Sequence, residues 1–130
     1  GVFSISLYNY AYTGGAHGLT LQTSRTYDTD AGRAYGLADL FKPGSPYLDR
    51  LTAIVRDQIR RRDIPVFEGE QVSVTPDTDF YIADRALVLY WQLYAITPYV
   101  YGFPYFPISV FDLSDIVRED GPLGVMNAND

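Results

Sequence analysis

The sequence predicts an α+β fold: an antiparallel sheet with one main amphipathic helix, about residues 46–62, packed on it. Apolar and polar residues alternate near the N-terminus, apolar side chains recur at three- and four-residue steps before residue 62, and a tight turn precedes an apolar run near residue 88. A chain of 130 residues is long enough to bury one core without a metal or disulfides. We expect one domain at residues 1–118 and an acidic, flexible tail at residues 119–130.

The N-terminal segment predicts two strands. Residues 2–12 place Phe3, Ile5 and Leu7 on one face and serines and tyrosines on the other, which is typical of a half-buried strand. A glycine-rich segment interrupts the alternation, and a threonine-rich strand follows at residues 19–27.

Turn and cap residues separate these strands from the helix. Residues 28–32 (Asp-Thr-Asp-Ala-Gly) have turn composition, and residues 36–41 predict a short helical turn. Ser45 is an expected N-cap, with Pro46 at the first helical position. Arginines at residues 60–62 suit the negative end of the helix dipole, so a structural role is expected for them. The apolar stripe of the helix consists of Leu48, Leu51, Val55 and Ile59.

The second half predicts a hairpin and an irregular aromatic segment. Residues 80–83, a two-residue turn at Asp84-Arg85 and residues 86–91 form the hairpin. Its second strand is apolar on both faces, so we expect it to be central and covered by the helix. A proline- and aromatic-rich stretch runs over residues 94–111, and a last short helix or turn is expected at residues 113–117.

Charge and composition exclude several classes of protein. Residues 1–62 carry eight basic and five acidic side chains, and residues 63–130 carry two and eleven, within a net charge of −6. The acidic half argues against a nucleic-acid partner; it favours either a basic protein partner or solubility alone. The absence of cysteine excludes disulfides and thiol chemistry. No apolar run spans a membrane and no leader is visible, so we expect any signal or anchor to lie outside this sequence.

Catalytic signals are weak, and we expect no enzymatic activity and no cofactor. His17 is the only histidine, and no serine elbow or phosphate-binding loop accompanies it. Two Asp-Thr-Asp triplets, Asp28/Asp30 and Asp77/Asp79, leave open a weak calcium site, although neither continues into an EF-hand loop. A pair of carboxylates that meet only in space also stays open, because sequence alone does not place it.

Several motifs resemble one bacterial family. Residues 37–42, 80–82 and 94–106 match its later landmarks in order. Its signature is matched by Tyr12, Thr13, Gly14, Gly15, Ala16, His17 and Gly18. The chain thus resembles the C-terminal domain of lysozyme-sensing anti-sigma factors, which also accompanies a peptidoglycan deacetylase. Where that family often has Glu, this chain has Ala95 and Tyr105.

The resemblance implies an exported, extracytoplasmic domain that binds rather than catalyses, usually preceded by a companion domain. The expected partner is a basic protein such as lysozyme; the alternative is a glycan of peptidoglycan or another wall polymer, stacked on exposed aromatic rings. We predict a structured turn at residues 13–18, with His17 bonded to nearby backbone. The partner surface is predicted at Pro98, Tyr99, Tyr101, Phe103, Pro104 and Tyr105, unless these rings cap the core instead.

Overall fold

The fold comprises two small antiparallel sheets and one main helix, which confirms the predicted α+β class. The computed structural model describes residues 2–11, 19–30 and 32–124. The first sheet contains β1 (Val2–Ala11), β2 (Leu19–Asp28) and β3 (Arg33–Tyr35), in that order. The second contains β4 (Asp79–Ala83), β5 (Ala86–Tyr90) and β6 (Tyr105–Ser109), in that order. Helix α1 spans Tyr47–Arg61, and short 3-10 helices span Leu37–Leu40, Tyr99–Tyr101 and Val110–Leu113.

Helix α1 matches the predicted segment, but its N-cap differs. Pro46 occupies the cap position, and its carbonyl accepts the first helical hydrogen bond, from Arg50 N at 3.0 Å. Ser45 therefore lies one residue too early to cap, and its buried hydroxyl has no hydrogen-bond partner in the described part of the chain. The predicted Ser45 cap was wrong. Among the described residues, no helix has the length and apolarity needed to cross a bilayer.

The predicted hairpin is confirmed. β4 and β5 pair antiparallel across Asp84 and Arg85, which have φ angles of 49° and 60°. Two successive positive φ angles give a turn whose twist suits tightly joined strands. β5 also pairs with β6 and lies between its two neighbours, so its central position is confirmed as well.

The two faces of the second sheet have different environments. Leu87 and Leu89 of β5 are fully buried in the main apolar core, together with Leu51 and Val55 of α1. Alternate side chains point to the opposite face, where Tyr90 makes hydrogen bonds to the first sheet. The helix therefore covers one face, and the first sheet lies against the other.

The first sheet presents its serines, not its apolar side chains, to the rest of the protein. Ser4 Oγ accepts a hydrogen bond from Ile82 N of β4 at 3.0 Å and lies 2.6 Å from Thr26 Oγ1. Phe3 and Leu7 face outward and are 49% and 61% exposed. The strand prediction is confirmed. Alternation predicts two faces without telling which one meets the core, and here it is the serine face.

The core continues towards the C-terminus. Phe41 and Val117 form an isolated antiparallel bridge, and Leu123 is fully buried. The core therefore includes a residue beyond position 118, and the domain boundary expected there stays a prediction.

Candidate functional site

The predicted partner segment forms a loop that leads into β6. Pro98 precedes the 3-10 helix Tyr99–Tyr101, and Gly102 adopts a φ of 84°, a conformation that glycine tolerates. Tyr101 is 39% exposed, whereas Pro104 is buried. Some rings of the segment thus reach solvent and others anchor it. The residues of the predicted turn lie outside the described part of the chain: Tyr12, Thr13, Gly14, Gly15, His17 and Gly18.

Tyr105, at the start of β6, joins the loop to a network of polar side chains. Its hydroxyl donates to Gln22 Oε1 at 2.6 Å, so it accepts a bond from the Tyr8 hydroxyl at 3.1 Å. Tyr8 belongs to β1 and Gln22 to β2. The Tyr81 ring lies beside it, 6.3 Å from the Tyr105 ring. We call the network and this ring the tyrosine–glutamine cluster; its members are Tyr8, Gln22, Tyr81, Tyr90, Gln92 and Tyr105.

The Gln92 side-chain amide links the two sheets, because it bonds to the backbone of β2 as a neighbouring strand would. Its Oε1 accepts from Gln22 N at 3.0 Å, and its Nε2 donates to Gln22 O at 2.8 Å. The same Nε2 donates to Asp79 Oδ2 at 2.9 Å. One amide thus satisfies both backbone groups of Gln22, which fixes β2 against the second sheet.

Tyr90 forms the buried end of the cluster. Its side chain is fully buried, and its hydroxyl donates to Gln22 O at 3.3 Å and lies 2.7 Å from Ser24 Oγ. The pairing of β5 with β6 places Tyr90 directly opposite Tyr105, and their ring centroids are 5.8 Å apart. The register of the second sheet therefore sets the position of the Tyr105 ring.

A row of rings leads from this buried tyrosine to the surface. The Tyr105 ring lies 6.1 Å from Phe103, and Phe103 makes an edge contact with Tyr8 at 5.9 Å. Tyr8 is 60% exposed, and Tyr10, two residues along the same side of β1, is also exposed. The row provides rigid apolar surface with hydroxyl groups at its edges.

Burial disfavours ionisation of the inner tyrosines of the cluster. It is the main cause that raises the pKa of Tyr105, to which hydrogen bonding with Tyr8 adds. Burial also raises the pKa of Tyr81 and of Tyr90 above the ordinary tyrosine value. Tyrosine is neutral at pH 7 already, and these shifts extend the neutral range to higher pH, so the hydroxyls act as uncharged donors and acceptors.

Two side chains at the C-terminal end of α1, Gln58 in the last turn and Arg62 at the cap position, make hydrogen bonds to the backbone of β6. Arg62, just after the helix, donates from Nη1 to Tyr105 O at 2.9 Å and to Gln58 Oε1 at 2.8 Å. Gln58 Nε2 donates to Pro107 O at 2.9 Å. Arg60 and Arg61 bond instead to Asp57. The last turn of the helix thus has the structural role that its sequence predicts.

The aspartate triplets are engaged in local structure. Asp28 Oδ1 accepts from Asp30 N at 2.9 Å, and its Oδ2 accepts from Tyr35 Oη at 3.0 Å. Asp79 accepts from the Gln92 amide. Within residues 2–11, 19–30 and 32–124, no three histidine, cysteine, aspartate or glutamate side chains are grouped to hold a metal ion.

The sequence prediction missed part of the site. Tyr105 and Phe103 were predicted, whereas Tyr8, Gln22 and Gln92 were not. Gln22 and Gln92 are 70 residues apart, and isolated glutamines carry no motif. The available signal was Tyr8 itself, which shares the inward face of β1 with Ser4 and Ser6.

Comparison with known proteins places the chain in a family. Residues 38–110 match the family described as "Protein of unknown function (DUF3298)". The chain belongs to the DUF3298 family. The matched residues cover α1, the second sheet and the loop at residues 98–104.

Three relatives extend this result. The chain is 27% identical over 116 residues to the peptidoglycan-N-acetylmuramic acid deacetylase PdaC of Bacillus subtilis (strain 168), covering 85% of this chain and 25% of the deacetylase. A DUF3298 member from Bacteroides fragilis NCTC 9343 has the same fold, with a TM-score of 0.79, 23% identity, and 98% of this chain and 53% of that chain covered. One from Pseudomonas aeruginosa PAO1 gives a TM-score of 0.70 and 24% identity, with 91% and 56% covered.

These matches define what is shared. The chain spans about a quarter of the deacetylase and about half of each crystallised relative. The predicted resemblance is confirmed at the level of a domain that also occurs in a peptidoglycan deacetylase, whereas the lysozyme-sensing assignment stays a prediction.

Proposed function

We propose that this domain is a non-catalytic, extracytoplasmic binding module of the bacterial cell envelope that recognises the glycan of a wall polymer. The observation that carries the proposal is the row of rings from buried Tyr90 to exposed Tyr8, in which the Tyr105 hydroxyl bonds to the Gln22 side chain and to the Tyr8 hydroxyl. The site offers rigid rings and neutral hydroxyls. It offers no activated nucleophile.

This chemistry suits a sugar chain. The apolar C–H face of a pyranose packs on an aromatic ring, and its hydroxyl and acetamido groups pair with tyrosine hydroxyls and glutamine amides. Tyr105 is held by Gln22, and Gln22 by Gln92, so little side-chain freedom is lost on binding. The site is therefore preorganised for an uncharged ligand.

The relative supports the same location and substrate class. The deacetylase is named for a reaction on peptidoglycan N-acetylmuramic acid, and this chain matches one quarter of its length. A module that holds a wall glycan suits a protein that acts on peptidoglycan.

A basic protein such as lysozyme is the second candidate partner, favoured by charge. Residues 63–130 carry eleven acidic and two basic side chains, a strong imbalance that attracts a cationic protein. The loop at residues 98–104 contains no charged residue, so this partner would be held by the acidic surface around it.

A matched pair of variants tests the glycan proposal. Tyr8 and Tyr94 are 60% and 62% exposed, and each ring makes one edge contact, with Phe103 and Phe67 respectively. We expect Tyr8→Ala to weaken the affinity for purified peptidoglycan, measured by cosedimentation, about fivefold or more, since one stacked ring contributes about 1–3 kcal/mol where bases stack on aromatic side chains. Tyr94→Ala should bind like the parent chain. Equal binding by both variants would contradict the assignment.

Salt separates the two partners. Glycan stacking should persist in high salt, whereas binding to lysozyme through acidic residues should weaken as salt screens the charges. Retention of lysozyme with no binding to peptidoglycan would favour the second candidate.

The replacement of Tyr99 and Tyr101 by Ala should lower glycan binding while the melting temperature stays nearly unchanged.

An activity assay tests the proposal that the domain is not catalytic. The purified chain should release neither acetate nor soluble fragments from peptidoglycan above background. Turnover that disappears in His17→Ala would overturn it.

A further inference from the structure

Strand β1 forms an unprotected edge of the first sheet. It is ten residues long and, within the described residues, pairs only with β2. Its sequence, Val-Phe-Ser-Ile-Ser-Leu-Tyr-Asn-Tyr-Ala, contains no charge, proline or glycine. Soluble proteins usually protect long edge strands with such residues, because unpaired N–H and C=O groups recruit further strands.

The outward face beside this edge is apolar. Phe3, Ile5 and Leu7 are 49%, 44% and 61% exposed, and they follow each other along β1. The neighbouring strand contributes Tyr27, stacked on Phe3 with 5.3 Å between ring centroids, and exposed Leu21. An open backbone edge and an apolar stripe thus coincide on one strand.

We propose that this edge binds a second copy of the chain, with β1 pairing antiparallel to its symmetry mate about a two-fold axis at Ile5. That register places Ile5 opposite Ile5 and Phe3 opposite Leu7 on the outer face. On the inner face it places Ser4 opposite Ser6. The three pairs nearest the axis then join like with like, and two three-stranded sheets become one of six strands.

The pattern of β1 selects this occupant. Its apolar residues are symmetric about Ile5, and a two-fold dimer requires one strand to complement itself in reverse. A foreign strand requires no such symmetry. Pairing of residues 2–8 adds backbone hydrogen bonds between the two copies. No residue of this stretch is charged, so no like charges oppose each other within the pair of strands.

Electrostatics permits the arrangement. The outward cation nearest the axis is Arg25, which lies opposite Ile5 on β2. In the dimer the two Arg25 positions are three strand spacings apart, about 14 Å. That separation exceeds the screening length of about 8 Å at physiological salt, so their repulsion is weak.

Cysteine cross-linking tests the register in the full chain, which contains no cysteine of its own. Under a mild oxidant, Ile5→Cys should form a disulfide-linked dimer. Phe3→Cys alone and Leu7→Cys alone should stay largely monomeric, whereas their mixture should cross-link. Phe111→Cys, on an exposed residue of the last 3-10 helix, is the control and should not cross-link efficiently. Cross-linking of Phe3→Cys with itself, or none for Ile5→Cys, would overturn the proposed pairing.

Charge variants test the same two-fold axis without cross-linking. In sedimentation velocity the parent chain should shift from monomer towards dimer as concentration rises. Ile5→Lys should abolish this shift, Phe111→Lys should retain it, and an equimolar mixture of Ile5→Lys and Ile5→Glu should restore it. A parent chain that stays monomeric at all concentrations, or dimerisation unaffected by Ile5→Lys, would refute the proposal. Circular dichroism of each variant verifies that it is folded.

Discussion

The two faces of the β4–β6 sheet are held by different forces. Leu89 and Tyr90 are neighbours on β5, and both are fully buried. Leu89 packs in the apolar core with helix α1, whereas Tyr90 reaches Ser24 and Gln22 across the gap between the sheets. The helix-side face is stabilised by area removed from water, and the opposite face by specific hydrogen bonds.

This difference leaves only one of the two faces open to a partner. The side chains on the helix side are already in close contact with each other, so no partner can reach them. The polar face instead continues through Tyr105 and Phe103 to a ring that solvent reaches. Under the proposed function, alternate residues of one sheet therefore contribute to stability and to recognition.

The largest effect is expected on the helix side. Leu89→Ala leaves a cavity in a fully buried site and should lower the free energy of unfolding by about 3 kcal/mol. Urea denaturation followed by circular dichroism measures it. Glycan affinity of the fraction that remains folded should be unchanged, and a loss below about 1 kcal/mol would show that the core side is less tightly packed than the structure has it.

A smaller effect is expected on the polar face. Gln92→Leu leaves Gln22 N without its partner and Gln22 O with only the longer bond from Tyr90, and it should lower the free energy of unfolding by about 1–3 kcal/mol. Unlike Leu89→Ala, it should also weaken glycan binding, because β2 is no longer fixed. Gln71→Leu, on an exposed residue, is the matched control for urea denaturation and binding. Equal behaviour of the two variants would contradict the role of Gln92.

The smallest effect is expected from alkaline pH. Burial raises the pKa of Tyr90 and of Tyr81, so the unfolded chain loses these protons first. Their contribution to stability is therefore fully present below about pH 10, the ordinary tyrosine pKa, and is lost as pH rises towards the folded value. Denaturation midpoints across this range should fall less steeply in Tyr90→Phe. A parallel decline in both proteins would show that Tyr90 does not contribute.

Local sequence patterns predicted the elements better than their assembly. The stripe of α1 and the turn at Asp84-Arg85 are local signals, and both were confirmed. The orientation of β1 was not predictable, because alternation gives two faces without telling which one meets a core. The meeting of Gln22 with Gln92 depends on how two sheets pack, and no spacing in sequence encodes it.

The proposed function requires that the exposed rings of the polar face bind a neutral glycan. A titration of the chain with a soluble, uncharged N-acetylhexosamine oligosaccharide tests this binding, followed by the ring resonances of its tyrosines and phenylalanines in nuclear magnetic resonance spectra. We expect saturable shifts at Tyr8, Phe103 and Tyr105 that persist in high salt, with Tyr94 unaffected. Absence of shifts at these three rings, or shifts confined to residues elsewhere, would overturn the proposed function.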